Sequence, residues 1–158
     1  MIPVIVHVAS GREWRGGQRQ VWLLARELGR QGVDQVVVTG RDTELSRRLN
    51  AAGVPVCPAA WHAGLDPRVL PPIIRELRRR PAIVHAHDAH ALTLADIGSR
   101  LTGAPLIATR RVTFPIRRPG LWKRAAHAIA VSEAVIQSLE AAGVSRARVS
   151  LVPDAIDL

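Results

Sequence analysis

The chain has 158 residues, 47% hydrophobic and 22% charged, with a formal net charge of +9. That balance belongs to a folded chain about one domain long and excludes disorder. No apolar run approaches the roughly 18 residues needed to cross a membrane. The amino terminus lacks the charged head of a signal peptide, and the single Cys57 excludes an internal disulfide and suits a reducing cytoplasm.

In chain order, short β-branched runs alternate with helical patterns. Strands are predicted at Val4–Val8, Gln35–Thr39, Pro55–Cys57, Ile83–Ala86, Leu106–Thr109, Ala128–Val131 and Arg148–Leu151. Most are apolar without strict alternation, as expected where helices cover both faces of a parallel sheet. Helices are predicted at Gly17–Gln31, Asp42–Ala52, Pro67–Arg80, Ala89–Thr102, Leu121–Ala126 and Ser132–Ala142. In the first, Val21, Leu24, Ala25 and Leu28 recur at helical spacing and Gly32 supplies a stop; Ser132 caps the last and Gly143 ends it. The expectation is a doubly wound, mostly parallel Rossmann-like α/β sheet of about seven strands with helices on both faces. In such sheets ligands bind at the carboxyl ends of the strands, near the switch point.

The candidate motifs fall at such ends. Gly16-Gly17 lies where the first strand turns into the first helix, so backbone N–H groups and a helix dipole meet there. Two glycines let an anion approach closely, although a tight turn alone would also use them. Residues 11–16 do not fit G-x-G-x-x-G, and Thr39-Gly40-Arg41 stands where an acid would end the second strand. A nicotinamide enzyme is therefore not expected. His85-Ala86-His87-Asp88-Ala89-His90 has alternate histidines, but the spacing and chain length fit no known hydrolase metal string, and no metal is expected. The expected arrangement has His85 pointing into the sheet, with His87, Asp88 and His90 at the crevice edge to hydrogen-bond sugar hydroxyls. Arg110 and Arg111, at the end of the next strand, suit a phosphate or an anionic acceptor. Cys57, within an apolar run, reads as a buried core thiol.

Nearly all the positive charge is arginine, Lys123 being the only lysine. Arginine favours planar anions, so the partners to weigh are phospholipid headgroups, a sugar diphosphate and nucleic acid. From Arg110 to Arg124 there are five Arg and one Lys with no acid. Arg117, Arg118, Trp122, Lys123 and Arg124 in this stretch, and Arg75, Arg78, Arg79 and Arg80 at a helix end, are expected to form a surface for anionic lipid or phosphorylated substrate. A solvated basic loop and favourable charge at a helix carboxyl end are the plainer readings of the same residues. No nucleic-acid recognition module is present, which leaves nucleic acid a weak alternative.

Taken in order, the Gly16-Gly17-Gln18 loop, Ile83–His87, Arg110–Pro115, Ala128–Val135 and the closing Val149–Asp157 resemble the N-terminal domain of GT-B glycosyltransferases, of the group called family 4 or group 1. The family's closing motif has Asn-Gly where this chain has Asp154-Ala155. The resemblance implies a single Rossmann-like domain over residues 1–158 that binds the acceptor of a retaining enzyme. A second domain, expected to follow, would grip the nucleotide-sugar donor; no other cofactor is implied. It further implies that Gly16 and Gly17 approach the donor diphosphate, and that Arg15, Gln18, Asp88, His90, Arg110 and Arg111 line the acceptor side. The acceptor would be a sugar, phosphorylated or lipid-linked, and the half-enzyme would be inactive alone, cytoplasmic and able to sit on the inner face of the membrane. The alternative is a non-catalytic sugar- or lipid-binding subunit that pairs with a separate donor-binding chain.

Overall fold

The computed structural model describes residues 2–156. Seven strands, β1 (Val4–Ala9), β2 (Gln35–Gly40), β3 (Val56–Ala59), β4 (Ala82–Ala86), β5 (Leu106–Arg110), β6 (His127–Ala130) and β7 (Val149–Leu151), form one sheet. Its order is β3-β2-β1-β4-β5-β6-β7, and every pairing is parallel. The chain winds outward from β1 to β3, crosses back to β4 and then winds the other way. The switch point therefore lies between β1 and β4, paired through Val4↔Ala82 to Val8↔Ala86. The doubly wound fold expected from the alternation is the one observed.

The helices are α1 (Gly16–Arg30), α2 (Glu44–Ala51), α3 (Leu70–Arg79), α4 (Ala89–Thr102), α5 (Pro119–Arg124) and α6 (Glu133–Ala141). Two ends differ from expectation for reasons of proline chemistry. Pro71 and Pro72 occupy the first turn of α3, where a missing N–H costs nothing, so a 3₁₀ turn over Pro67–Val69 precedes the helix. Pro119 likewise opens α5 two residues earlier than the apolar pattern suggests. Pro58 sits inside β3, which tolerates it because β3 is an edge strand.

Two cores result. On one face Val6, Val8, Val84, Ala86, Ala108 and Ala128, all at most 1% exposed, pack with Ile73 of α3, Leu92 and Ala95 of α4 and Ile136 and Leu139 of α6. On the other, Ala9 and Val37 pack with Val21 and Ala25 of α1 and Leu45 and Leu49 of α2. Because α1 and α2 follow the half of the sheet from β1 to β3, the second face is less covered over β4 to β6. Ile83, Ile107 and Ile129 there remain half-buried. Cys57 is buried as expected; burial, with Glu76 nearby, pushes its thiol up from the ordinary range.

Among the described residues no helix is long and apolar enough to cross a membrane.

Candidate functional site

The carboxyl ends of β1, β4 and β5 open into one crevice of about 280 Å³, closed on a fourth side by the start of α1. Its lining includes Gly17, Gln18, His87, Asp88, Arg110 and Arg111, so the structure brings these sequence-derived candidates together. Gly16 stands beside them at the first position of α1.

The glycines do not serve a strained turn: neither has positive φ, and α1 begins at Gly16 itself. A Cβ built on Gly16 or Gly17 would meet nothing within 4 Å. Neither conformation nor packing demands glycine here, while the N–H groups of the first turn have no intrahelical acceptor and no acid lies in that turn. What glycine provides is open space over those N–H groups. Gly17→Ala is therefore expected to hold or raise stability, by up to about 1 kcal/mol, because alanine is the better helix former. Gly17→Val is expected to leave thermal unfolding within a few degrees of the parent while weakening anion binding at the crevice. Thermal melts with and without a sugar phosphate separate the two effects. Gly11 differs: an added Cβ there would lie 1.7 Å from Gln18 Nε2, so the end of the Gln18 side chain would have to move. Gln18 folds its amide over that glycine and accepts the Arg15 N–H through Oε1 at 3.3 Å. Gln18 thus shapes the loop, and Arg15, ion-paired with Glu13, faces a separate, more open cleft.

Asp88 is the hinge of the crevice. It caps α4, accepting the Ala91 N–H through Oδ1 at 2.9 Å. The same carboxylate accepts the Ser10 N–H at 2.7 Å and the Ser10 hydroxyl, which ties the end of β1 to the start of α4. Three donors occupy three of its roughly four acceptor directions and leave about one for a ligand hydroxyl.

His87 borders the crevice as expected, but its ring is buried and bonded within the fold, not offered to a sugar hydroxyl. Alternation along β4 sends His85 and His87 to the same face, where the β1 partner of His85 is His7. The three rings lie 4.0 to 5.4 Å apart and are at most 6% exposed. His7 Nδ1 and His87 Nε2 share a hydrogen bond of 3.0 Å, and His85 Nε2 pairs with Thr109 Oγ1 at 2.7 Å. Burial lowers His7 to about 4 and pushes His85 and His87 well below the usual range, so all three are neutral imidazoles at neutral pH. Their nitrogens lie within 4.8 Å of one another, so His7 of β1 joins the alternate histidines His85 and His87 in the donor set of a cation site. Two of those nitrogens are already joined, and Arg111 adds to the depression of His85 and His87. Both facts oppose a cation. His90, exposed on the first turn of α4, lines a neighbouring cavity instead of the crevice.

The two arginines at the end of β5 differ in use. Arg111 Nη1 donates to the His87 carbonyl at 3.1 Å and Nε to Asp154 at 3.3 Å. Burial lowers its basicity, and Asp154 offsets part of that loss. Asp154 and Ala155, which depart from the family motif, hold the closing segment down: Ala155 exchanges two hydrogen bonds, of 2.7 and 2.8 Å, with the Gln20 side chain of α1. Asp157, the last motif residue, lies outside the described residues. Arg110 is 8% exposed, lies 5.5 Å over the Trp122 ring and donates Nη2 to the Phe114 carbonyl. Its Nε is buried without a partner, and no acid pairs with it among the described residues.

The basic surface needs correction. Trp122 is 6% exposed and belongs to the core under Arg110, so it presents nothing to a membrane. Arg124 forms a two-bond pair with buried Asp96 at 2.8 and 2.9 Å; Arg75 and Arg79 share buried Glu76, and Arg80 pairs with Asp34. Arg78, Arg117, Arg118 and Lys123 remain without an ion pair among the described residues. The α3 cluster sits beside Val4 and Val36, at the amino ends of the strands, whereas Arg117 and Arg118 follow the carboxyl end of β5. They form two patches and not one.

Sequence reasoning missed Ser10, His7, Gln20 and Asp96. Each acts through a partner 28 to 135 residues away.

The model of Glycosyltransferase Family 4 matches residues 14–158, nearly the whole chain, and the protein belongs to that family. Its fold is that of one Rossmann-like half of a GT-B glycosyltransferase. HepE from Anabaena, solved with UDP-glucose, superposes with a TM-score of 0.82 at 15% identity, over 98% of this chain and 44% of that one. A glycosyltransferase from Rickettsia africae gives 0.75 at 15% identity, over 96% and 42%. WaaB, a lipopolysaccharide outer core galactosyltransferase, gives 0.73 at 10% identity, over 98% and 46%. The chain thus spans less than half the length of these structures. No curated protein matches the sequence significantly.

Proposed function

We propose that this domain is the N-terminal, acceptor-binding half of a retaining glycosyltransferase. In this reading a second domain brings the nucleotide-sugar donor, and the sugar passes to a glycan or lipid-linked acceptor held in the crevice. The observation that carries it is the convergence at the switch point of an open helix start at Gly16–Gly17 with Arg110 and Arg111. The unpaired N–H groups and helix dipole at Gly16–Gly17 suit a donor diphosphate that gains charge as its bond to the sugar breaks, and the two arginines suit an anionic group of the acceptor. Asp88 has acceptor capacity left for a sugar hydroxyl, and Arg111, fixed by His87 and Asp154, is held in place for an anion. Positioning and charge stabilisation are the work of this half, and the departing phosphate itself takes the proton of the incoming hydroxyl. HepE's complex with UDP-glucose supports a nucleotide-sugar donor for the assembled enzyme. A cytoplasmic place, at the inner membrane face for a lipid-linked acceptor, belongs to the same reading.

The test is titration of the ¹⁵N-labelled chain with glucose, glucose 1-phosphate and UDP-glucose. Sugar and sugar phosphate are expected to shift the amide signals of Gly17, Asp88 and Arg111, with UDP-glucose binding no more tightly than the sugar phosphate. Arg111→Met is expected to weaken the sugar phosphate about tenfold or more, the worth of one charge-assisted hydrogen bond. Saturable binding of UDP-glucose far tighter than glucose 1-phosphate would place the donor site in this half and overturn the assignment.

A further inference from the structure

Beside the crevice lies a second and larger cavity of about 390 Å³, within the usual size of a small-molecule site. Leu92 of α4 and Leu121 and Trp122 of α5 form its floor, and Phe114 and Ile116 wall it. Phe114 is 74% exposed and Val112 45%, so apolar surface continues to the mouth. The rim is Arg117 and Arg118, with no acid among the lining residues. Ala89, Arg110, Val112 and Trp122 line both this cavity and the crevice, which makes Arg110 the junction between them. That junction is Arg110, a residue 8% exposed, with Nε buried and unbonded and no acid partner among the described residues. A buried cation in this state calls for an anion.

Resting on the acceptor reading above, we infer that the acceptor is a single-chain lipid phosphate carrying the sugar. Its sugar lies in the crevice, its phosphate on Arg110 and its hydrocarbon chain in the cavity walled by Phe114 and Ile116. The order follows from the cavities: polar and hydroxyl-binding at Asp88, cationic at Arg110, apolar beyond it, then cationic again at the mouth. The Arg-rich, partly apolar stretch that looks in sequence like a membrane-lying surface folds around this cavity. Of its two aromatic rings, Trp122 forms the floor and Phe114 a wall.

The experiment is calorimetric titration of the chain with farnesyl phosphate, dodecyl phosphate, farnesol and inorganic phosphate, each kept monomeric. At least one of the two lipid phosphates is expected to bind about tenfold or more tightly than both farnesol and inorganic phosphate. Preference for farnesyl phosphate identifies an isoprenoid carrier, and preference for dodecyl phosphate a straight-chain one. Arg110→Met is expected to remove the advantage of the phosphate. Because Arg110 also holds the Phe114 carbonyl, Thr93→Trp serves as the second variant. Thr93 is part-exposed on α4 and lines only the apolar cavity, so a tryptophan there fills the chain site. It is expected to reduce lipid-phosphate affinity tenfold or more with glucose 1-phosphate binding unchanged. Lipid phosphates no tighter than inorganic phosphate, or unaffected by Thr93→Trp, overturn the inference while sugar-phosphate binding keeps the acceptor reading intact. Lipid-phosphate binding without any sugar-phosphate binding overturns the acceptor reading instead.

Discussion

Between pH 6.5 and about 4 the domain is expected to lose about 3 kcal/mol of stability through His7 alone, with further loss through His85 and His87. Well above pH 6.5 each imidazole is neutral in both the folded and unfolded chain, and titration contributes nothing. Below it the unfolded chain takes up protons that the folded chain refuses, since burial depresses all three imidazoles. The balance shifts toward unfolding until the pH reaches the folded value, about 4 for His7. Urea unfolding at a series of pH values reads the effect directly. The slope of stability against pH between 6.5 and about 5 is expected to approach about three protons, in a range above the carboxylates. His7→Leu costs stability at every pH by leaving His87 Nε2 unbonded, yet it is expected to reduce that slope by about one proton. A flat profile down to pH 5 would show that the imidazoles are not held neutral. The neutral state matters to the crevice, because a charged His87 would stand beside the Arg111 guanidinium and repel it.

Most of the architecture is legible in the sequence because a doubly covered parallel sheet leaves a strong local signal. Its strands are mostly apolar runs of three to six residues, and the helices between them carry periodic leucines and valines with Gly32 and Gly143 as stops. The crevice is legible for the same reason: motifs at strand ends must converge once the strands are parallel. What the sequence does not reveal is the partner of each side chain. His87 faces inward because β1 pairs with β4 in a register that brings in His7, 80 residues away. Asp96, likewise distant, takes Arg124 out of the basic surface, although Glu76 is a neighbour in sequence that pairs with both Arg75 and Arg79 and is visible in any tally of local charge. Trp122 shows the limit of pattern reading most clearly. An aromatic residue among arginines has the composition of an interfacial segment, and only the position of α5 against α4 and β5 turns the ring inward.

Asp88→Ala is expected to cost about 3 kcal/mol and to lower the melting temperature by about 6 to 12 °C for a domain of this size. Two separate losses add. The cap of α4 disappears, and the N–H and hydroxyl of Ser10 lose the carboxylate that joins the end of β1 to α4. Asp88→Ser separates them, because a serine hydroxyl caps a helix nearly as well but is too short to hold both Ser10 groups. It is expected to recover about 1 kcal/mol of the loss, read by thermal unfolding followed through circular dichroism. Full recovery would mean that the Ser10 tie contributes nothing; a melting temperature unchanged in Asp88→Ala would show that the carboxylate is not engaged by the protein at all and is free for ligand. The consequence for binding follows from the same bonds. Ser10 follows β1 and Asp88 follows β4, the two strands that flank the switch point, so the tie fixes the width of the crevice between α1 and α4. Asp88→Ser removes that tie while leaving Arg110 and Arg111 in place. Sugar phosphate is therefore expected to bind it more weakly through loss of placement, with the arginines still drawing the anion and salt weakening what binding remains.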